Sequence, residues 1–253
     1  MNLKKYNILT KFYIITIFPE IFKALNNYGV IKKAIQKKII EIKCFNPRNF
    51  TNNKHRTIDD RPYGGGPGMV MCFQPLYLTI QYIKSLLKQA KVIYLSPQGK
   101  KLNHKTIHEL IQNKKIIFIC GRYEGIDQRI IQDQVDEEWS IGDYVLTGGE
   151  LAAMVIIDSI SRFIPGFIKK TSVNEDSFYH NLLDYPHYTR PRTIKNMKVP
   201  DVLISGNHNE IRLWRLKKSL KNTWKKRPDL LKNKNLSKEE KILLNEIKKN
   251  NKK

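Results

Sequence analysis

The sequence predicts an α/β fold with parallel strand pairs, followed by a smaller helical region. Three observations carry this. Short apolar runs at 12–17, 92–95 and 116–119 read as buried strands, and each is followed by a stretch patterned as a helix. Strands that alternate with helices form a sheet with parallel pairs, because each crossover helix returns the chain to the same edge. Residues 211–253 are different in kind: they hold 16 bases and four acids, a net charge of +12, with helical periodicity.

In order along the chain, Pro19 opens a short helix to Asn27, since proline suits a first helical turn. Residues 30–38 form a second, basic helix. Residues 39–45 alternate as a strand, with Ile40, Ile42 and Cys44 on one face and Glu41 and Lys43 on the other. A turn-rich loop spans 46–53. Residues 55–69 are too rich in glycine for regular structure, and Gly64-Gly65-Gly66-Pro67-Gly68 lacks the Gly-Lys-Ser/Thr of a P-loop. After the strand 92–95, Ser96-Pro97-Gln98-Gly99 reads as a tight turn at its carboxyl end, where ligands sit in open α/β sheets. Asn103 caps a helix to Gln112. His104 and His108 lie four apart on it, a metal-ligand spacing, but with no third ligand nearby they read as surface histidines.

The stretch 116–162 organises the rest. Its strand ends at the turn Gly121-Arg122-Tyr123-Glu124-Gly125, and a short helix follows over 126–132. Residues 139–149 then alternate apolar side chains with Gly142, Gly148 and Gly149. Thr147-Gly148-Gly149-Glu150 has the form of a capping box opening an apolar helix to about Arg162. Ten of the 13 glycines lie between Gly64 and Gly149, and residues 121–150 carry eight acids against two bases. No Gly-x-Gly-x-x-Gly opens a βαβ unit here, which disfavours an ordinary dinucleotide site.

The whole chain of 253 residues carries +23, with a pI near 9.8. That points to a polyanionic partner, nucleic acid first, although lysine enriched together with isoleucine and asparagine is also what AT-biased codon usage gives. The three cysteines are widely spaced with no Cys-x-x-Cys pair, so neither zinc nor a disulfide framework is expected, and a reduced, cytoplasmic setting fits. No apolar run approaches the roughly 20 residues that span a bilayer. The apolar start reads as a first strand rather than a signal peptide.

Several blocks of the chain resemble the bacterial tRNA (guanine-N1)-methyltransferase family. They are HRTIDDRPYGGGPGM at 55–69, VIYLSPQGKKL at 92–102, CGRYEGID at 120–127, DEEWSIGDYVLTGGELAAM at 136–154, DSISRFIPG at 158–166, EDSF at 175–178, LLDYPHYTRP at 182–191 and GNHNEIRLWRLKKSL at 206–220. They fall in the family's order and cover nearly everything from 18 to 231. The resemblance implies the α/β SPOUT fold: a sheet with a deep trefoil knot in the cofactor region, plus a small C-terminal helical domain. Knots are otherwise rare enough to be rejected. The implied division is a knotted methyltransferase domain at 1–168, a linker or lid at 169–177 and a basic tRNA-binding helical domain at 178–253. A homodimer that shares its active sites is implied as well.

The family's reaction transfers methyl from S-adenosyl-L-methionine to N1 of guanosine at tRNA position 37, beside the anticodon. By resemblance the donor is bound by Tyr94, Leu95, Ser96, Pro97, Gly121, Glu124, Ser140, Ile141, Gly142, Asp143, Tyr144, Val145, Leu146, Gly148 and Gly149. Magnesium is implied too, with Glu124 a candidate ligand and no cluster that marks a site. Asp176 of EDSF is implied as general base and Arg162 as the cation that stabilises charge on the guanine oxygen. The chemistry suits them: guanine N1 is protonated at neutral pH and needs a base before it can accept a methyl group. Asp59 is placed at the guanine edge and Arg61 at phosphate. His187 and Arg190 flank Tyr188 in a basic-aromatic mix suited to unstacked bases, and Arg215 lies on the basic helix that contacts RNA. Ala152 stands where relatives usually have proline, which puts one donor contact in doubt. Two alternatives are another SPOUT enzyme acting on a ribose 2′-hydroxyl, which needs no aspartate at EDSF, and a non-catalytic RNA-binding protein. The intact glycine turns with Arg162 and Asp176 argue against the second.

Overall fold

The computed structural model describes residues 9–169 and 174–251. They belong to two compact units, Met1–Lys169 and Lys170–Lys253.

The first unit is built on a five-stranded parallel sheet. Its strands are β1 (Thr10–Ile15), β2 (Ile40–Phe45), β5 (Lys91–Lys101), β6 (Lys115–Cys120) and β7 (Glu137–Ser140), in the spatial order β2-β1-β6-β5-β7. Two-residue strands β3 (Asp59–Asp60) and β4 (Val70–Met71) pair antiparallel apart from it. The apolar runs lack alternation because both faces of the sheet are covered. Side chains of a strand point alternately to opposite faces. Thus Phe12, Ile14, Ile93, Leu95, Ile116 and Phe118 enter one core, whereas Tyr13, Ile15, Val92, Tyr94, Ile117 and Ile119 enter the other. The first core is closed by Ile31 and Ala34 of α2 (Gly29–Gln36) and by Ala153, Ile156, Ile157 and Ile160 of α6 (Glu150–Ser161). The second is closed by Leu76, Ile80 and Ile83 of α3 (Phe73–Leu86) and by Ile130 of α5 (Gln128–Gln134). The remaining helices of this unit are α1 (Lys23–Asn27) and α4 (His104–Leu110). Asn103 caps α4 by accepting from Lys105 N and Thr106 N.

Three local expectations are corrected. The tight turn at Ser96-Pro97-Gln98-Gly99 lies within β5, which runs on to Lys101. Its pairing with β7 shifts register, so that Leu95 and Lys100 both face Trp139, and Ser96–Gly99 is the excess chain. Cross-strand pairing overrides the turn signal. Glu150 does not complete a capping box: Gly149 is the N-cap of α6, with no side-chain capping bond. The helix placed at 126–132 begins two residues later, because Asp127 caps it by accepting from Arg129 N at 2.9 Å.

The second unit holds α7 (His208–Lys226), α8 (Pro228–Lys232), α9 (Lys238–Asn250) and a small hairpin of β8 (Thr193–Ile194) and β9 (Met197–Lys198). Leu182, Leu220 and Ile247 form its buried centre, with Leu216, Trp224 and Leu243 packed on them. Leu213, one turn before Leu216 on the same helix, is exposed. Asn207 caps α7, and Ser237 with Glu240 forms a reciprocal capping box on α9. The core of the expected lid, 170–173, lies outside the described residues.

Candidate functional site

The bulged middle of β5, residues 94–98, and the carboxyl ends of β6 and β7 open into one cleft of about 420 Å³ in the first unit. That lies within the size range of small-molecule sites, roughly 300–1,000 Å³. Of the fifteen residues the resemblance assigns to the donor, fourteen line this cleft. Asp143 does not: it turns outward and pairs with Lys101 at 2.6 Å. Ala152 is part of the lining.

Backbone makes much of the wall. Gly149 N donates to the Gly121 carbonyl at 3.0 Å, and Arg122 bridges Gly148 as an isolated antiparallel pair. The loop after β7 is thereby laid along the turn after β6. Ser140 holds the start of that loop, since its Oγ accepts from Gly142 N at 3.2 Å. Glycine is required where these segments meet. A Cβ at Gly121 would stand 2.9 Å from the Tyr94 hydroxyl oxygen. Tyr94 is buried, and burial raises its pKa, with Glu138 adding to the rise and a bond to the Ile126 backbone opposing it.

The glycine-rich loop at 55–69 is fastened to the same turn. Glu124 N donates to the Met69 carbonyl at 2.9 Å, Met71 N to Gly125 O at 3.0 Å, and Asp127 N to Met71 O at 3.0 Å. The Glu124 side chain lies against Gly68, where a Cβ would come within 2.6 Å of its Cγ. Asp59 is half-buried in β3, and Arg61 is exposed on the loop that follows.

Charge around the cleft is uneven. Arg122 pairs with Glu150, Asp127 with Arg129 and Glu137 with Lys91. Among the described residues Glu124 and Glu138, both in the lining, form no ion pair. An open cleft edged with backbone amides and carbonyls and carrying two unpaired carboxylates suits a small polar ligand with positive charge. The residues present therefore fit a sulfonium donor. They do not mark a metal site: among the described residues no three His, Cys, Asp or Glu side chains are grouped to hold an ion. His104 and His108 instead pack their rings on Phe163, at centroid distances of 5.6 and 4.9 Å.

Arg162 follows the last turn of α6 in the first unit, half-buried. Asp176 belongs to the second unit and is half-buried, its carbonyl accepting from Tyr179 N at 3.3 Å. Next to it, Glu175 accepts the Tyr185 hydroxyl at 2.7 Å. The Arg215 guanidinium lies 4.8 Å over the Tyr185 ring. His187 Nε2 is 2.9 Å from Asp184 Oδ2, and Arg190 is exposed. Sequence reasoning alone does not find Tyr185 as the meeting point of Glu175 and Arg215. Its position five residues before Arg190, in an aromatic-basic run, is the signal that could have marked it.

Residues 10–233 match the family described as tRNA (Guanine-1)-methyltransferase TrmD. A protein of Buchnera aphidicola subsp. Schizaphis graminum named tRNA (guanine-N(1)-)-methyltransferase is 74% identical over 247 residues, which is 97% of this chain and 94% of that protein. A protein of the same name from Haemophilus ducreyi is 57% identical over 241 residues, 93% of this chain and 96% of its own length.

Proposed function

This chain belongs to the tRNA (guanine-1)-methyltransferase family, and from that premise we propose that it transfers methyl from S-adenosyl-L-methionine to N1 of the guanosine at position 37 of tRNA, in the cytoplasm. The observation that carries the donor assignment is the cleft between the middle of β5 and the ends of β6 and β7, with its backbone walls and its unpaired Glu124 and Glu138. When bound, the donor supplies a methyl group activated on sulfonium sulfur.

The chain's own residues do the rest. Asp176 takes the N1 proton of guanine, so that the nitrogen lone pair is free to accept the methyl group. A positioned base of this kind is worth about 10²–10⁴-fold. Arg162 stabilises the charge that builds on the guanine oxygen as the proton leaves. Asp59 and Arg61 meet the base edge and a phosphate, and His187, Arg190 and Arg215 hold the RNA around the target. The base leaves its stack to be reached. The residues present do not fit magnesium: among those described no ligand cluster receives it.

A knotted path is part of the proposal. It is supported by the close approach of Gly99 to the Glu138–Trp139 backbone and of Gly149 to Cys120. So is a homodimer: α6 exposes Leu151 and Val155 one turn apart, and Val145 in the adjoining loop is 85% exposed. Such an apolar patch is suited to a second copy.

The test is transfer of labelled methyl to two tRNA transcripts, with guanosine or adenosine at position 37, using the wild type and Asp176→Asn. Transfer to the guanosine transcript alone, abolished in the variant, is expected. Tight tRNA binding with no transfer to either transcript would sink the enzyme reading.

A further inference from the structure

Three segments beside the cleft share one buried carboxylate. Glu150, the first residue of α6, is 1% exposed. One of its oxygens accepts from the Thr16 hydroxyl, just past β1, at 2.8 Å. The other accepts from Arg122 Nε at 2.9 Å. Arg122 also donates from Nη1 to the Thr147 carbonyl at 3.1 Å, and its guanidinium lies 4.6 Å over the Phe18 ring. Gly148 leaves room for the pair, since a Cβ there would stand 2.6 Å from Glu150 Oε2 and against the Arg122 side chain.

Stability alone is a poor reason for this arrangement. The cost of taking two charges out of water roughly cancels their attraction, and an apolar pair of the same shape does as well or better. The location offers another reason. Arg122 belongs to the lining of the cleft and brings a full positive charge to it. A like charge nearby works against a cationic ligand. Glu150 cancels that charge at its source and fixes the guanidinium by its Nε edge, while Glu124 and Glu138 stay unpaired in the lining.

We infer that Glu150 is a charge-masking positioning residue: by pinning and neutralising Arg122 it lets the cleft favour a sulfonium donor over its uncharged thioether product. Donor and product differ by a methyl group and one positive charge, so a selective effect on the donor reports charge, whereas packing damage weakens both. The inference rests on reading the cleft as the S-adenosyl-L-methionine site.

The experiment is calorimetric titration of the full chain with S-adenosyl-L-methionine and, separately, with S-adenosyl-L-homocysteine. The proteins are the wild type, Glu150→Gln, and the double variant Arg122→Gln/Glu150→Gln. Glutamine keeps the shape of Glu150 and unmasks the guanidinium. Donor affinity is expected to fall about tenfold more than product affinity, the scale of one partly screened charge interaction. In the double variant both charges are gone, and the ratio of the two affinities returns to the wild-type value. Equal weakening of both ligands by Glu150→Gln would show that Glu150 only packs, and would overturn the inference. If Glu150→Gln does not fold, Arg122→Lys/Glu150→Gln replaces it: this variant keeps an unmasked positive charge beside the cleft, so a donor-to-product ratio shifted toward product upholds the inference and a wild-type ratio overturns it. A wild type that binds neither ligand overturns the reading of the cleft itself, and the inference with it.

Discussion

Replacing Gly149 by alanine sets two physical effects against each other. Gly149 is the N-cap of α6 with φ −76° and ψ −9°, a conformation open to any residue. Backbone entropy alone favours the exchange, by about 0.4–1 kcal/mol. The structure opposes it. A Cβ would stand 2.8 Å from Cys120 Cα, 3.2 Å from Gly121 N and 3.3 Å from Cys120 C. All three are main-chain atoms at the end of β6, which is flanked by β1 and β5 and has little freedom to yield. Overpacking of this kind costs about 1–3 kcal/mol. The net expectation is a loss of about 1–2 kcal/mol, which lowers the melting temperature of a unit this size by about 2–8 °C. The same displacement stretches the bond from Gly149 N to Gly121 O and moves one wall of the cleft against the other. Donor affinity is expected to fall about tenfold, since small misplacements at a binding site are costly. Differential scanning calorimetry and donor titration measure both. A variant that melts no lower and binds the donor as well as wild type would refute the close approach.

Ser237→Ala removes the bond that Ser237 Oγ accepts from Glu240 N at 3.1 Å. It should cost about 1 kcal/mol, read as earlier melting of the second unit in urea followed by circular dichroism. The cysteines should be inert in the folded protein. Burial pushes the Cys44 thiol up to about 12 and holds Cys120 well above its ordinary value. At pH 8 only about one Cys44 in ten thousand is thiolate, so a disulfide reagent should label it rapidly only after unfolding in guanidinium. Lys218→Gln with Lys221→Gln should make tRNA binding less salt-dependent. For every phosphate no longer neutralised, the log–log slope flattens by roughly 0.7–0.9, measured between about 50 and 200 mM salt.

The features legible in the sequence are mostly local or periodic. The central strands are readable because burial on both faces leaves unbroken apolar runs, as at Ile116–Ile119. The caps at Asn103, Asn207 and Ser237 are readable because each is satisfied within three residues. The features that escape depend on distant partners. Thr147 and Glu150 have capping-box spacing, but Glu150 goes instead to Arg122 and to Thr16, 134 residues away. The extension of β5 to Lys101 depends on β7, whose Trp139 and Ser140 accept it as a neighbour. Helix α3 escapes notice although Leu76, Ile80 and Ile83 mark its buried stripe, because Pro75 and the β-favouring Tyr77, Thr79 and Tyr82 obscure the helical pattern. The local surplus of acid at 121–150 misleads in the same way. Lys91 and Lys101, from another strand, pair with Glu137 and Asp143; of the four acids of this stretch that form no ion pair among the described residues, Glu124 and Glu138 line the cleft, whereas Asp133 and Asp136 do not.

The basic side chains of the chain are held in two ways, and the difference bears on the proposed contact with RNA. Several arginines are engaged with carboxylates of the chain in two-pronged contacts. Arg129 grips Asp127, Arg212 grips Glu239 and Arg227 grips Asp229, each through two nitrogens. Only a guanidinium has that fork. Among the described residues Lys218, Lys221, Lys225, Lys226, Lys248 and Lys249 form no ion pair. Lysine also pairs with carboxylates in the second unit, at Lys217–Glu246 and Lys234–Glu240, so what separates the two residue types is the two-pronged grip alone. If the second unit holds tRNA as proposed, phosphate attraction there falls largely to flexible point charges, which bind backbone of any sequence and weaken steeply with salt. Such contacts carry little discrimination between RNAs. On the proposed reading, selectivity for one guanosine comes from side chains with fixed geometry, among them Arg215, whose guanidinium stacks on Tyr185, itself bonded to Glu175 next to Asp176.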